Sequence, residues 1–241
     1  MNSAGPGQLG GEKSRAAAII VGAGQGSRMG AGVPDKIWAD LCGIPVILHA
    51  IRAFHRAAAI DAIVLVLRQE RIESARRLFE KDGMTKIVAI RAGGARRQDS
   101  VRAGLESLTD LNCDVVLIHD GARPLVDDQI IQYGVDFGRL YGAAVAAIPV
   151  VDTIKRVDSL EAVVSTPPRD ELRAVQTPQA FRVELLNRAH AFDVGDVTDD
   201  AMLVEQLGHR VWTFPGSPRN LKITTPEDLV IAAAFLAAIP A

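Results

Sequence analysis

Short runs of uniformly apolar residues alternate along this chain with longer stretches in which apolar and polar positions recur at helical spacing. Residues 16–21 (AAAIIV) are the first such run and end at glycines. A segment apolar at every position suits a strand buried on both faces, as in a parallel sheet. Residues 62–67, 86–90, 114–119, 143–149 and 210–214 are further candidate strands. Helical patterns lie between most of them. In residues 46–57, Val46, Leu48, Ile51 and Phe54 fall towards one side, with His49, Arg52 and Arg56 towards another. Residues 71–79 and 100–108 look similar. This alternation predicts an α/β fold, a mostly parallel sheet with helices on both faces. With no internal repeat and no low-complexity linker, a single domain over residues 16–241 is the simplest organisation.

One segment breaks the alternation. Residues 150–176 read as strand, turn, strand, with Pro167 and Pro168 near the end. Residues 150–157 and 162–165 are expected to pair as a hairpin, an arm over about 150–172. An exposed hairpin is an unprotected edge that a partner can cover, which motivates a homodimer. Packing of the hairpin on its own domain accounts for the pattern equally well.

Composition narrows the class. A chain of 241 residues is ample for a buried core, and 48% hydrophobic with 23% charged residues excludes a wholly disordered or fibrous protein. Aromatics are 5%, so the core must be built mainly from Ala, Val, Ile and Leu. A net charge of -2 carries no footprint for duplex nucleic acid, yet leaves a small nucleotide open because a few local cations suffice. Cys42 and Cys113 form no CxxC pair and point to a reducing compartment. No apolar run reaches the roughly 18 residues of a membrane helix. Residues 1–15 are Gly-rich and polar, without the apolar middle of a secretory signal. The expectation is a cytoplasmic protein with a disordered leader at 1–15.

Four segments carry candidate chemistry. The first is the glycine-rich turn Gly22-Ala23-Gly24-Gln25-Gly26-Ser27-Arg28-Met29 after the first strand. Glycines let a backbone approach a ligand, and consecutive N–H groups make an anion nest. Ser27 spoils both the dinucleotide and the Walker patterns. Arg28 and Lys36 nonetheless supply two cations suited to a triphosphate; singly, each reads as a solvated surface charge. The second is Gly93-Gly94-Ala95-Arg96-Arg97 with Ser100, either an anion or base-edge site or an N-capped helix after a loop. The third is His119-Asp120-Gly121-Ala122-Arg123-Pro124, at the carboxyl end of a strand, where α/β proteins bind ligands. Asp120 suits a metal ion or a ribose hydroxyl, and Arg123 a phosphate. A histidine there is more often packed and hydrogen-bonded than a general base. The fourth is Asn220 to Asp228. Thr225 reads as an N-cap, with Pro226 at the first helical position and acids in the first turn. Lys222, before a strand-like Ile223-Thr224, is outside that capping. The chain has six lysines against 21 arginines, so Lys36, Lys155 and Lys222 stand out.

In this order, these segments resemble the 2-C-methyl-D-erythritol 4-phosphate cytidylyltransferases of the non-mevalonate isoprenoid pathway, from about Ala16 to Ala237. The match includes the Gly22–Met29 loop, Lys36, Gly93-Gly94 with Arg97, Ser100 and Val101, and His119 to Pro124. It continues through Asp152 to Lys155, Thr177 to Phe181, Thr198 to Ala201 and Asn220 to Thr224. Each element is modest alone; eight in register are specific. The departures are Val21 for a usual Pro, Gly22 and Gly121 for usual alanines, Ala95-Arg96 for a commonly acidic pair, and Arg219 for a frequent Asp. Asp35 is an extra residue before Lys36.

The resemblance implies a Rossmann-like nucleotidyltransferase fold with a protruding β-hairpin arm. It implies attack of methylerythritol phosphate on the α-phosphorus of CTP, with pyrophosphate leaving in line. No strong general base is needed, and charge neutralisation should dominate. By resemblance, Arg28, Lys36, Arg169 and Lys222 act in catalysis. Gly22, Ala23, Gly24, Gly26, Gly94, Arg97, Ser100, Asp120 and Gly121 bind CTP. Arg123, Thr153, Arg169, Thr177 and Lys222 place the acceptor. Mg²⁺ or another divalent cation bridges the phosphates near Asp120, and the arm crosses to a second subunit so that Arg169 acts in trans. A cytidylyltransferase for another polyol phosphate, such as ribitol 5-phosphate, would share the CTP residues. An NAD-dependent dehydrogenase is disfavoured by the missing third glycine and ribose-binding acid. A non-catalytic nucleotide-binding module is disfavoured by Arg28, Lys36, Arg169 and Lys222 together.

Overall fold

A computed structural model describes residues 14–24, 35–192, 195 and 197–238. β1 (Arg15–Gly22) is buried from Ala16 to Ile20, as its unbroken apolar run requires. A short antiparallel ribbon of β2 (Asp40–Leu41) and β3 (Ile44–Pro45) leads into α1 (Val46–Arg56). β4 (Ala62–Leu67), α2 (Ile72–Lys81), β5 (Ile87–Ala92), α3 (Arg97–Glu106) and β6 (Cys113–Asp120) continue the alternation. α4 (Asp128–Tyr141) and β7 (Ala143–Pro149) follow. A separate hairpin of β8 (Arg156–Val157) and β9 (Val163–Ser165) then precedes β10 (Arg173–Arg182). α5 (Val183–His190), α6 (Asp200–Gln206), β11 (Trp212–Pro215) and α7 (Pro226–Ala237) complete the described chain.

Seven strands form one sheet in the order β11-β7-β10-β6-β1-β4-β5. β10 alone runs antiparallel, between β6 and β7. The core divides into two layers. Ile20, Ile47, Phe54, Leu65 and Leu117 lie in one, and Ile19, Val64, Val101, Val116 and Phe181 in the other. Alternate residues of β1, β4 and β6 face opposite sides, the period of an extended strand.

Register explains where a site can form. Gly22 of β1 lies opposite Leu67 of β4, and Leu67 opposite Ala92 of β5. Val21 lies opposite Asp120 of β6. These parallel strands therefore end in phase, and the segments after all four gather at one edge of the sheet. β1 is also where the connection order reverses direction, the crevice at which open α/β sheets bind ligands.

The structure revises several expectations. β10 is not among the strands that the sequence pattern predicts. Pro178 lies within it, and its pairing with β7 shifts between Val175 and Gln179, so it lacks the uninterrupted apolar run that marks its neighbours. The strand predicted over 150–157 shrinks to two residues, Arg156 and Val157. Ile223-Thr224 is not a strand; Ile223 is fully buried and its N–H donates to the Ala122 carbonyl at 2.8 Å. Thr225 does cap α7 in a capping box with Asp228, with Pro226 in the first turn. Residues 1–13 of the expected leader lie outside the described residues, and Arg15 already belongs to β1.

Candidate active site

The phased strand ends enclose a pocket of about 260 Å³. Gly22, Ala23 and Gly24 line it from the end of β1, and Lys36 and Ile37 from the segment before β2. Gly94 to Arg96 come from the loop before α3, Arg97 and Ser100 from its first turn, Asp120 from the end of β6, Ala122 from just beyond it, and Lys222 from the approach to α7. Lys36, Arg96, Arg97 and Lys222 share this wall with one carboxylate, Asp120, so it is locally cationic although the chain carries a net charge of -2.

Asp120 is the electrostatic centre. Lys222 Nζ lies 2.8 Å from Oδ2, Arg123 Nε 3.8 Å from Oδ2, and Arg97 Nη2 3.9 Å from Oδ1. Burial alone would raise its pKa. Lys222, Arg97 and Arg123 overcome that and hold the carboxyl well below the usual range. It is a carboxylate at any working pH. Among the described residues no group of three or more His, Cys, Asp or Glu side chains converges. Asp120 is the carboxylate that would hold a Mg²⁺ ion here, and the rest of the ion's ligands would have to come from substrate phosphates and water.

Strand β10 organises the site from behind. The Thr177 hydroxyl accepts from the Asp120 N–H at 3.0 Å. The Thr177 carbonyl accepts from Asn220 Nδ2 at 2.8 Å. Gln176 accepts from the Ser217 N–H and donates to the Ser217 carbonyl. Together these contacts fix the 217–220 turn that precedes Lys222. Gln179 does the same on the other side. It donates to Asp199 and accepts from the Asp200 N–H, setting the N-terminus of α6. Asp200 is fully buried and receives Arg97 Nη1. Burial would weaken the Arg97 charge, but Asp200 and Asp120 outweigh it and raise the pKa. Arg97 is thus a fixed cation between two carboxylates.

His119 is fully buried against Phe54. Nε2 lies 3.1 Å from the Arg123 carbonyl, which can only accept, so Nε2 carries the hydrogen and Nδ1 accepts from the Thr177 hydroxyl at 3.1 Å. Burial pushes the imidazole pKa down to about 4. Both nitrogens are engaged, which leaves no role as a base.

Among the residues expected from sequence, the pocket collects Gly22, Ala23, Gly24, Lys36, Gly94, Arg97, Ser100, Asp120 and Lys222. Gly121 packs beneath it, with its N–H donating to the Val21 carbonyl at 2.9 Å. Arg123 is not on the wall. Its guanidinium is largely buried, donates to the Asn220 carbonyl at 2.7 Å and supports Asp120. Thr177 likewise acts through Asp120 and Asn220. Thr153 and Arg169 are exposed on the segment that carries the hairpin, and neither lines the pocket. Gly26 and Arg28 lie outside the described residues. Sequence reasoning assigns no role to Gln176, Gln179, Asp200 or Asn220. The last three sit inside the motifs quoted above, but their work is to hold other residues, which spacing does not reveal. Arg68 has no signal in the sequence at all. It donates to the Gly24 carbonyl at 3.0 Å and lies 3.7 Å from Asp35.

The chain matches the family model for IspD, 2-C-methyl-D-erythritol 4-phosphate cytidylyltransferase, over residues 16–238. A 2-C-methyl-D-erythritol 4-phosphate cytidylyltransferase of Dehalococcoides mccartyi is 45% identical over 91% of this chain and 95% of its own length. One from Bacillus thuringiensis is 43% identical over 90% of this chain and 96% of its own. The crystal structure of 4-diphosphocytidyl-2C-methyl-D-erythritol synthase from Anaerococcus prevotii superimposes with a TM-score of 0.80 at 32% identity, covering 93% of this chain and 99% of that one. The 2-C-methyl-D-erythritol 4-phosphate cytidylyltransferase from Thermus thermophilus gives a TM-score of 0.72 at 30% identity, covering 91% and 98%. Matched over more than nine-tenths of its length in sequence and in fold, the chain belongs to the 2-C-methyl-D-erythritol 4-phosphate cytidylyltransferase family.

Proposed function

We propose that this protein transfers the cytidylyl group of CTP to 2-C-methyl-D-erythritol 4-phosphate, giving 4-diphosphocytidyl-2-C-methyl-D-erythritol and pyrophosphate. The observation that carries the reading is Asp120 with Lys222 and Arg97 beside it, on a pocket wall shared with Lys36 and the Gly22–Gly24 backbone, and with Arg123 supporting Asp120 from off the wall. The acceptor phosphate oxygen forms a bond to the α-phosphorus while the α–β bridging bond breaks opposite it. Lys36 and Lys222 neutralise the charge that accumulates on the phosphorus oxygens, donors aimed at the transition state rather than at the ground state. Arg97, fixed by Asp200, holds the nucleotide, and Gly94 and Ser100 flank it. The attacking phosphate is already ionised, which agrees with a His119 that is buried and neutral. When Mg²⁺ is bound through Asp120, it supplies further charge compensation to the phosphates. Arg28 shares the charge-neutralising role of Lys36, and Thr153 and Arg169 complete the acceptor side.

The same reading includes a homodimer with exchanged arms. Val151, Leu160, Val163 and Val164 are 80%, 85%, 61% and 62% exposed in the single chain. A partner would bury these and bring Thr153 and Arg169 to the acceptor end of its pocket. No described helix is long and apolar enough to cross a membrane, and the unpaired Cys42 and Cys113 suit a cytoplasmic location. Pyrophosphate release with CTP and Mg²⁺ tests the function. Turnover is expected with methylerythritol phosphate, and little with ribitol 5-phosphate or no acceptor. Turnover with ribitol 5-phosphate alone, or none with either acceptor, would overturn the assignment.

A further inference from the structure

Arg68 follows β4 and belongs to none of the segments singled out in the sequence. It reaches two pieces of chain that the pocket depends on. Nη2 donates to the carbonyl of Gly24, at the end of the glycine-rich wall, at 3.0 Å. Nε lies 3.7 Å from Oδ2 of Asp35, the residue before Lys36. The Asp35 side chain is only 4% exposed and that of Arg68 26% exposed. Glu70, the other acid near Arg68, is largely exposed and 3.9 Å away, a contact of little weight. Asp35 is therefore a carboxylate taken out of water beside the pocket, and Arg68 is the cation that acts on it most strongly. Burial raises the Asp35 pKa and Arg68 opposes that rise. A buried charge held by an ion pair longer than a hydrogen bond adds little stability for its desolvation. It does, however, restrict where the adjoining backbone can go. The Asp35 carbonyl accepts from the Trp38 N–H at 2.7 Å, and the Ile47 N–H donates to the Ile37 carbonyl at 2.9 Å. With the Asp35 side chain paired to Arg68 as well, the chain is tied down on both sides of Lys36.

We propose that Arg68 is a positioning residue for the cytidylyl transfer. Through Asp35 it sets the place of Lys36 on the pocket wall, and through Gly24 it aligns the backbone facing that lysine. The inference rests on the role given to Lys36 above. It differs from a general structural role in one respect: the effect of Arg68 must pass through Lys36.

A double-mutant cycle of Arg68→Met and Lys36→Ala tests this. Arg68→Met is expected to lower kcat by about tenfold with a smaller change in the KM for CTP, and to have less than about a twofold effect when Lys36 is already alanine. Arg68→Lys, which keeps the charge, should recover part of the loss, and Asp35→Asn should reproduce Arg68→Met without changing side-chain size. Multiplicative effects of the two substitutions, or near-wild-type kcat in both Arg68→Met and Asp35→Asn, would overturn the proposal. The same cycle can be run in pyrophosphate release at saturating CTP with whichever acceptor phosphate turns over. A wrong acceptor would thus leave this test intact, whereas an uncoupled pair would fail it whatever the acceptor.

Discussion

Lys222 Nζ lies 2.8 Å from Asp120 Oδ2, a contact between two segments distant in the chain that meet only at the sheet edge. The lysine side chain remains 38% exposed, so the pair contributes about 1 kcal/mol or less to stability. Its weight falls on the chemistry. Replacing Lys222 with Met is expected to lower kcat/KM by about 10²- to 10³-fold, the loss typical of one transition-state donor, while urea unfolding stays close to wild type. Steady-state kinetics alongside denaturation decide it. Near-normal turnover with a large stability loss would make the pair a structural contact only.

Lys36 lines the same pocket from the segment before β2. Lys36→Ala should reduce kcat by on the order of 10²-fold or more, with little change in melting temperature because the side chain serves the pocket rather than the core. Single-turnover measurements at saturating CTP separate this from weakened binding. An effect confined to KM would assign Lys36 to ground-state binding of the triphosphate.

His119 gives a pH signature that does not involve catalysis. Its pKa falls from 6.5 to about 4 on folding because burial disfavours the imidazolium. A depressed folded pKa stabilises the protein above pH 6.5. That contribution is lost as pH falls towards 4, where the unfolded chain binds a proton the native state refuses. The full swing is on the order of 3 kcal/mol. Asp120, whose folded pKa is also depressed, acts in a lower window, below the ordinary carboxylate value of 3.8. Urea midpoints for wild type should therefore decline between about pH 6.5 and 4.5, and His119→Gln should flatten that decline. Parallel curves for the two proteins would remove His119 as its source.

How much of this is legible depends on whether a residue advertises its own environment. β4 and β7 are readable to the residue because strands buried on both faces cannot carry polar positions. The Thr225 cap and Pro226 are readable because capping is local. Asp120 and the Gly22–Gly24 turn are readable from their place at the end of an apolar run. β10 is not, since Gln176, Thr177, Pro178 and Gln179 look like a loop. They are polar because each side chain except the proline's bonds a different neighbouring segment. Arg123 reads as a phosphate ligand for a related reason: a basic residue beside an acid looks the same whether it faces a ligand or, as here, the Asn220 carbonyl. The hairpin is foreseen as an arm, but nothing in an isolated sequence shows how short its paired portion is.

Gly22, at the end of β1, and Gly121, just beyond β6, share one neighbour. A Cβ on Gly22 would lie 2.7 Å from Ile37 Cδ1 and 3.1 Å from Ile47 Cδ1, and one on Gly121 would lie 3.2 Å from Ile47 Cδ1. Ile47 is the neighbour common to both, while Ile37 Cδ1 and Leu67 Cδ2, the latter at 3.0 Å, stand closer to a Cβ on Gly22. Gly22→Ala should destabilise by about 1–3 kcal/mol through overpacking, and Gly121→Ala by less. Ile47→Val, which removes that Cδ1, should recover part of the Gly121→Ala loss and less of the Gly22→Ala loss, where Ile37 Cδ1 makes the closest contact. Denaturation of the single and double variants measures this. Strict additivity between Gly121→Ala and Ile47→Val would show that Ile47 is not the residue that compensates there.

Arg169 donates to the Val151 carbonyl at 3.2 Å within the arm and does not line the pocket of its own chain. If the arm serves a second subunit, Lys36→Ala and Arg169→Ala chains should complement when mixed. In a mixed dimer, the pocket of the Arg169→Ala chain keeps its own Lys36 and receives an intact Arg169 from the partner, whereas the other pocket lacks both. Random exchange between equal amounts makes half the dimers mixed, each with one complete site. Activity should then rise to roughly a quarter of wild type per pocket in a two-fold dimer, well above either variant alone. Size-exclusion chromatography with one chain tagged establishes that exchange has occurred. Complete exchange with no gain in turnover would place Arg169 outside the partner's pocket, leaving the exposed Val151, Leu160, Val163 and Val164 as an interface without a catalytic contribution.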